Sequence, residues 1–95
     1  MKIYIAGKIT GDPNYKEKFR RAEELLISQG HIVLNPAILP EGMTQEEYMH
    51  ICFPMLEVSD QVLFIPDYFE SEGARLEYNW CKYTGKPKRI MLELE

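Results

Sequence analysis

Four short apolar runs alternate with three amphipathic stretches along this chain. The runs cover residues 2–6 (KIYIA), 31–35 (HIVLN), 61–66 (QVLFIP) and 89–94 (RIMLEL), and turn-forming residues bound them. The first and third runs are nearly continuous in apolar character, which is typical of central strands that are covered on both faces. The pattern therefore predicts four β-strands, two of them central in a sheet.

The first two stretches between the runs have the apolar spacing of helices. The first extends from about residue 14 to residue 29, and Gly30 is a natural stop. The second begins near Thr44, with Glu47 three residues further on in a capping-box pattern. Pro54 lies inside this second helix and predicts a kink or two short helices. The predicted apolar faces are Tyr15, Phe19, Ala22, Leu25 and Leu26 in the first helix and Tyr48, Ile51, Cys52, Met55 and Leu56 in the second.

The third helix is predicted from about Glu72 to Thr84, with Ser71 as its N-cap and Gly85 at its end. The resulting order of elements is β-α-β-α-β-α-β. Such alternation argues for a parallel sheet with right-handed crossovers, and helices must then cover both of its faces. The chain is therefore predicted to be a single three-layer α/β domain over residues 1–95.

The third helix carries one more apolar stripe than a simple core contact requires. Its first stripe is formed by Ala74, Tyr78 and Cys81, and Glu77 belongs to it by spacing. Its second stripe is formed by Leu76, Trp80 and Tyr83. The second stripe fits either a contact with another subunit or a wide core face in a small protein.

Glu77 is unusual because it stands among apolar neighbours. The residues three and four positions away on the helix are Gly73, Ala74, Trp80 and Cys81, and none of them is basic. A carboxylate in apolar surroundings is costly to ionise, so it tends to acquire a shifted pKa, which is one mark of a functional site. The alternative is that Glu77 lies at the edge of the stripe and reaches water.

The composition narrows the function classes. The net charge is −4, and the 11 Lys and Arg residues are scattered among 15 acidic ones, so no basic stripe indicates binding to a nucleic acid polymer. The apolar runs are far shorter than the roughly 20 residues of a membrane span, and a cytoplasmic location is expected. Cys52 and Cys81 are interpreted as small buried side chains, and neither a metal nor a cofactor is expected.

Two loops are predicted to meet beyond the carboxyl ends of the strands, where open α/β sheets bind their ligands. The loop after the first strand consists of Gly7, Lys8, Ile9, Thr10 and Gly11. Such a loop can cradle phosphate, although glycine-containing turns are also common without a ligand. The other loop leads to Ser71 and Gly73, where a helix N-terminus favours an anion, or where a plain cap tolerates a glycine.

The sequence resembles the nucleoside 2-deoxyribosyltransferase superfamily, which includes the 2′-deoxynucleoside 5′-monophosphate N-glycosidases. The resemblance rests on IYIAGKITG at the start, SDQVLFIPD at the third strand, SEGARLE at the third helix and TGKP after it. A small branch of the superfamily that is frequent in phages and bacteria looks most similar. The resemblance implies a flavodoxin/Rossmann-like sheet of strand order 2-1-3-4, truncated by one strand.

The resemblance also implies roles for individual residues. Glu77 takes the place of the nucleophile that attacks the anomeric carbon and forms a covalent glycosyl-enzyme. Ser71 stands where the monophosphate glycosidases have a serine, which implies a 5′-phosphate held by Ser71, Gly73 and residues 7–11, with Lys8 adding charge. Members of the superfamily also complete their sites with a neighbouring subunit, which implies a homodimer or a larger homo-oligomer.

One position departs from the superfamily. Its members usually carry an aspartate that handles the leaving base about eight residues before the position of Asp60, and this chain has Cys52 there. His50 or Glu47 is a possible substitute. Asp60 itself is expected at the amino end of its strand, away from the site. The expected activity is N-glycosidase or deoxyribosyltransferase chemistry on a nucleoside or nucleotide; the alternatives are a catalytically inactive nucleotide-binding module and an assembly protein on the same fold.

Overall fold

Strands and helices alternate through the computed structural model, which describes residues 1–92. The strands are β1 (Lys2–Ala6), β2 (Ile32–Leu34), β3 (Gln61–Phe64) and β4 (Lys88–Ile90). The α-helices are α1 (Tyr15–Ser28), α2 (Gln45–Val58) and α3 (Glu72–Thr84). Short 3-10 helices follow β2 at Pro36–Ile38 and β3 at Pro66–Glu70.

All neighbouring strands of the sheet are parallel, in the order β2-β1-β3-β4. This order confirms the predicted flavodoxin/Rossmann-like α/β fold with four strands. Because β1 pairs with both β2 and β3, the chain reverses its direction of winding beside β1. A crevice forms at such a reversal, beyond the carboxyl ends of β1 and β3.

The core lies in two layers, one on each face of the sheet. Alternate residues of a strand point to opposite faces, so Ile3 and Ile5 pack against α1. Tyr4 and Ala6 point the other way, into a cluster with Cys52 and Leu56 of α2 and Cys81 of α3. The nearly continuous burial of β1 and β3 follows from this two-sided cover.

Local signals in the sequence set the ends of the helices. Thr44 and Glu47 form the predicted capping box of α2, each side chain accepting the other residue's backbone N–H. The Ser71 hydroxyl accepts the Ala74 N–H at 3.2 Å and caps α3. Gly85 ends α3 in the left-handed region, with a φ of 80°.

Several predicted details differ from the structure. Helix α2 is a single helix from Gln45 to Val58, so the predicted alternative of two short helices is wrong; the packing of Cys52 and Leu56 on the sheet holds the helix on both sides of Pro54. The predicted kink at Pro54 stays a prediction. Leu25 and Ile51 remain exposed rather than extending the apolar faces. Strand β4 ends at Ile90, four residues before the predicted end at residue 94, and residues 93–94 of that prediction lie outside the described part.

The second stripe of α3 is divided by the fold. Trp80 is half-buried and packs edge-to-face on Phe53 of α2, with ring centroids 5.6 Å apart. Leu76 is 55% exposed and Tyr83 is 92% exposed, so they add little to the core. Between residues 1 and 92, no helix combines the length and the apolar character that crossing a membrane requires.

Candidate active site

A cleft opens beyond the carboxyl ends of β1 and β3, at the reversal of the sheet. Helix α2 forms one wall, the N-terminal turn of α3 another, and the loop after β1 a third. The cleft is open to solvent, and its free space of about 530 Å³ includes part of that solvent. Glu77 lies in its lining and is the acidic residue there.

Glu77 is buried and hydrogen-bonded. Its side chain is 6% exposed, which confirms the buried position and excludes the alternative of a carboxylate at a wet edge. The Tyr4 hydroxyl donates to Glu77 Oε2 at 2.7 Å. Burial raises the pKa of Glu77 to about 7, and the bond from Tyr4 acts in the opposite direction. The carboxyl group therefore changes its charge near neutral pH.

Tyr4 is a cleft residue that the sequence analysis missed. It lies in the central strand β1 and is 1% exposed, so the apolar pattern alone classes it as core. Burial and the neighbouring Glu77 carboxylate raise its pKa well above the ordinary value, and the hydroxyl remains a donor. One feature of the sequence could have indicated this role. A buried tyrosine hydroxyl needs a hydrogen-bond partner, and the other buried side chains of β1 are aliphatic, so the partner had to come from another element.

Seven of the predicted site residues line this one cleft. Both predicted loops contribute, together with α2 and α3: Gly7, Ile9, Thr10, Cys52, Ser71, Gly73 and Glu77. Cys52 is almost completely buried, and this burial raises the pKa of its thiol. The position where the superfamily usually has an aspartate therefore faces the same cleft as Glu77 and carries a protonated thiol at neutral pH.

The remaining four predicted site residues lie elsewhere. The Lys8 ammonium approaches Glu70 Oε1 at 3.4 Å, and Gly11 lies in an adjacent groove with Asp12. The Glu47 carboxylate is engaged in the cap of α2. His50 is exposed on another side of α2, in a groove towards α3. Helical spacing explains the last difference, because His50 and Cys52 are two residues apart and point about 200° apart on the helix.

Three further α2 residues line the cleft, although nothing in the sequence indicated a site role for them. Gln45 donates from its amide to the Thr10 hydroxyl at 2.9 Å, which links α2 to the loop after β1. Tyr48 donates to the Pro40 carbonyl at 2.6 Å, and Met49 lies beside Gly73. Their proximity depends on how α2 crosses the sheet, which periodicity does not specify.

Gly7 and Gly73 are expected to respond differently to alanine. A Cβ at Gly7 would lie 3.0 Å from Ile65 Cβ and 3.3 Å from Phe19 Cζ, so Gly7→Ala should lower the free energy of unfolding by roughly 1–3 kcal/mol. A Cβ at Gly73 meets only Met49 Cε, at 3.5 Å. Gly73→Ala should therefore raise the free energy of unfolding by up to about 1 kcal/mol through helix propensity. Urea unfolding measures both, and equal destabilisation by both variants would contradict this interpretation.

The fold and the cleft define a flavodoxin-like α/β protein built around a buried carboxylate at the strand ends. The chain belongs to the family described as Domain of unknown function (DUF4406), whose model matches residues 1–90. No curated protein gives a significant match to the chain.

Two solved structures share the fold. A 2-deoxyribosyltransferase from the psychrotolerant bacterium Bacillus psychrosaccharolyticus superposes with a TM-score of 0.71 at 26% identity, covering 95% of this chain and 71% of that one. A conserved protein from Enterococcus faecalis V583 superposes with a TM-score of 0.72 at 14% identity, covering 95% and 62%. The first likeness supports the resemblance to the nucleoside 2-deoxyribosyltransferase superfamily, and the second shows the fold alone.

Proposed function

We propose that this protein cleaves the N-glycosidic bond of a nucleoside or nucleotide, with Glu77 as the nucleophile. The observation that carries the proposal is the buried Glu77 carboxylate in the cleft, held by Tyr4 at 2.7 Å. The likeness to a 2-deoxyribosyltransferase supports the reaction class, and the small branch found in phages and bacteria is the proposed place within the superfamily.

The reaction is proposed to take two displacements at the anomeric carbon. A Glu77 carboxylate oxygen forms a bond to that carbon, and the carbon–nitrogen bond breaks with its electron pair going to the base, which takes a proton from the cleft or from solvent. Water or a second base then attacks the same carbon, losing a proton, and the glycosyl ester bond breaks to restore the carboxylate. Hydrolysis and transfer differ only in which acceptor enters.

The environment of Glu77 suits this role. Because Tyr4 engages Oε2, the other oxygen, Oε1, is the one proposed to attack. A carboxylate in a largely apolar cleft is a better nucleophile than one that water surrounds, and the pKa of about 7 leaves a large fraction ionised at neutral pH. Ser71 and Gly73, at the N-terminus of α3, are proposed to hold the far end of the sugar.

Release of free base from a panel of deoxynucleosides and their 5′-monophosphates tests the proposal directly. Wild-type protein and Glu77→Gln are compared by chromatography, with and without an added acceptor base. Release by the wild-type protein alone supports the proposal. No release by folded wild-type protein under either condition would contradict it.

A catalytically inactive nucleotide-binding module is the second candidate. Cys52 favours it, because a thiol is a poor substitute for the carboxylic acid expected beside the leaving base. This candidate predicts thermal stabilisation by nucleotide without turnover, amounting to about 2.7 kcal/mol when the ligand is at 100 times its Kd.

We also propose that the chain forms a homodimer or a larger homo-oligomer. The exposed apolar side chains of Leu76 and Tyr83 on α3 support self-association, and the same face is what an assembly protein on this fold would use. Light scattering during size exclusion measures the assembly. A monomer at all concentrations tested would contradict it.

A further inference from the structure

The loop after β1 binds a carboxylate of the protein itself, the side chain of Asp67. The Lys8 backbone N–H donates to Asp67 Oδ1 at 3.1 Å. The other oxygen of Asp67 accepts a hydrogen bond from the Lys18 ammonium, which also bonds Asp12. The Asp67 carboxylate is therefore held against the loop and occupies a backbone N–H that would otherwise be available to the oxygen of a phosphate.

The lysine of this loop is directed to a second carboxylate. The Lys8 ammonium lies 3.4 Å from Glu70 Oε1, and Glu70 directly precedes Ser71, a residue of the cleft lining. An exposed ion pair such as this one is weak, so Lys8 is free to move. Its negative partner nevertheless stays beside the N-terminus of α3, next to Glu72. A doubly charged phosphate at this helix terminus would be repelled by the carboxylates of Glu70 and Glu72, and Asp67 already occupies the Lys8 N–H that could otherwise bind it.

An uncharged hydroxyl fits the same place without this repulsion. The Ser71 hydroxyl can donate a hydrogen bond as well as accept one, and so can a hydroxyl group of a sugar. Gly73 leaves room for a ligand at the backbone, since a Cβ there would meet ordinary contact only. The walls of the cleft are thus suited to a sugar end that carries a hydroxyl group.

From these contacts we infer that Asp67 and Glu70 are specificity-determining residues, which make the cleft select nucleosides over nucleoside 5′-monophosphates. The inference rests on the proposed function and narrows its substrate class. Asp67 occupies the Lys8 backbone N–H that a phosphate would otherwise use. Glu70 pairs with the Lys8 ammonium that would otherwise neutralise the phosphate. Both act by position and charge, without contact with the reacting atoms.

The test compares kcat/KM for the four common 2′-deoxynucleosides with that for their 5′-monophosphates. We expect the wild-type protein to favour a nucleoside at least tenfold, and Glu70→Gln and Asp67→Asn each to reduce this ratio several-fold, mainly through KM for the monophosphate. Glu24→Gln is the matched control, since it removes an exposed carboxylate paired with Arg20 on α1, which contacts neither Lys8 nor the N-terminus of α3. Glu70→Gln is the decisive variant because its side chain is half-exposed and outside the core.

Each outcome has one meaning. Preference for a monophosphate in the wild-type protein, or an unchanged ratio in Glu70→Gln and in folded Asp67→Asn, overturns the inference and leaves the proposed function intact. If no base is released from any compound, the proposed function fails, and calorimetric binding then decides the inference. Tighter binding of the nucleoside than of the monophosphate by the wild-type protein, with a smaller difference in Glu70→Gln, supports the inference. Tighter binding of the monophosphate, or binding of neither compound, overturns it.

Discussion

Glu77→Gln is expected to be more stable than the wild-type protein by about 3 kcal/mol at pH 8, and to lose base release by roughly 10³-fold or more. Both effects have one origin, the buried carboxylate. Burial raises the pKa of Glu77 from 4.5 to about 7 in the folded protein. Glutamine has nearly the same shape and can accept the Tyr4 hydrogen bond, but it carries no charge and cannot form the glycosyl ester.

The stability gain must depend on pH in a defined way. Below about pH 4.5 the Glu77 carboxyl is protonated in both the folded and the unfolded chain, so burial costs no charge. Between about pH 4.5 and 7 the unfolded chain loses this proton while the folded protein keeps it, and rising pH therefore favours unfolding. Above about pH 7 the cost is complete. Glu77→Gln removes this cost, so the stability difference between the variant and the wild-type protein grows between about pH 4.5 and 7.

Urea unfolding at pH 4.5 and pH 8 measures this difference. The matched control is Glu72→Gln, which changes an exposed glutamate in the first turn of the same helix. The control should show a small effect that is similar at the two pH values. A stability difference for Glu77→Gln that does not change with pH would contradict the buried charge, and base release that persists in this variant would exclude Glu77 as the nucleophile.

The fold was predictable because its local signals agree with one another. Caps at Thr44 and Ser71, the stop at Gly85 and the continuous apolar runs of β1 and β3 each favour the observed elements. Pro54 does not divide α2 into two helices, because propensity describes an isolated helix whereas the packing of α2 on the sheet tolerates one missing bond.

The candidate site was predictable only where spacing within one element determines it. Helical spacing placed Glu77 on the apolar stripe of α3 but left open whether its carboxylate reaches water, and only the structure shows that it is buried. The direction of the Lys8 side chain and the approach of Tyr4 to Glu77 join residues 62 and 73 positions apart, and no local pattern encodes such contacts. Long-range polar partners therefore had to come from the structure, and they change the interpretation of the site most.

Tyr4→Phe is expected to reduce kcat/KM by roughly tenfold or more at pH 7, with partial recovery at higher pH. The Tyr4 hydroxyl donates to Glu77 Oε2 and stabilises the ionised form, so its loss raises the pKa of Glu77 further. Less of the Glu77 carboxylate, the proposed nucleophile, is then ionised at neutral pH, and the rate should rise only at higher pH. Leaving a buried carboxylate without this donor should also cost about 1–3 kcal/mol of stability at pH 8, and much less at pH 4.5.

Tyr48→Phe is the matched control for Tyr4→Phe. It removes a hydroxyl from the wall of the same cleft, but that hydroxyl donates to the Pro40 carbonyl and not to Glu77. Its pH–rate profile should keep the wild-type midpoint, whereas the midpoint of Tyr4→Phe should move to higher pH. Equal midpoints for Tyr4→Phe and the wild-type protein would show that the hydroxyl does not control the charge of Glu77. The pH dependence of unfolding gives the same comparison without turnover, because the folded-state pKa of Glu77 sets the pH at which the cost of its charge is complete.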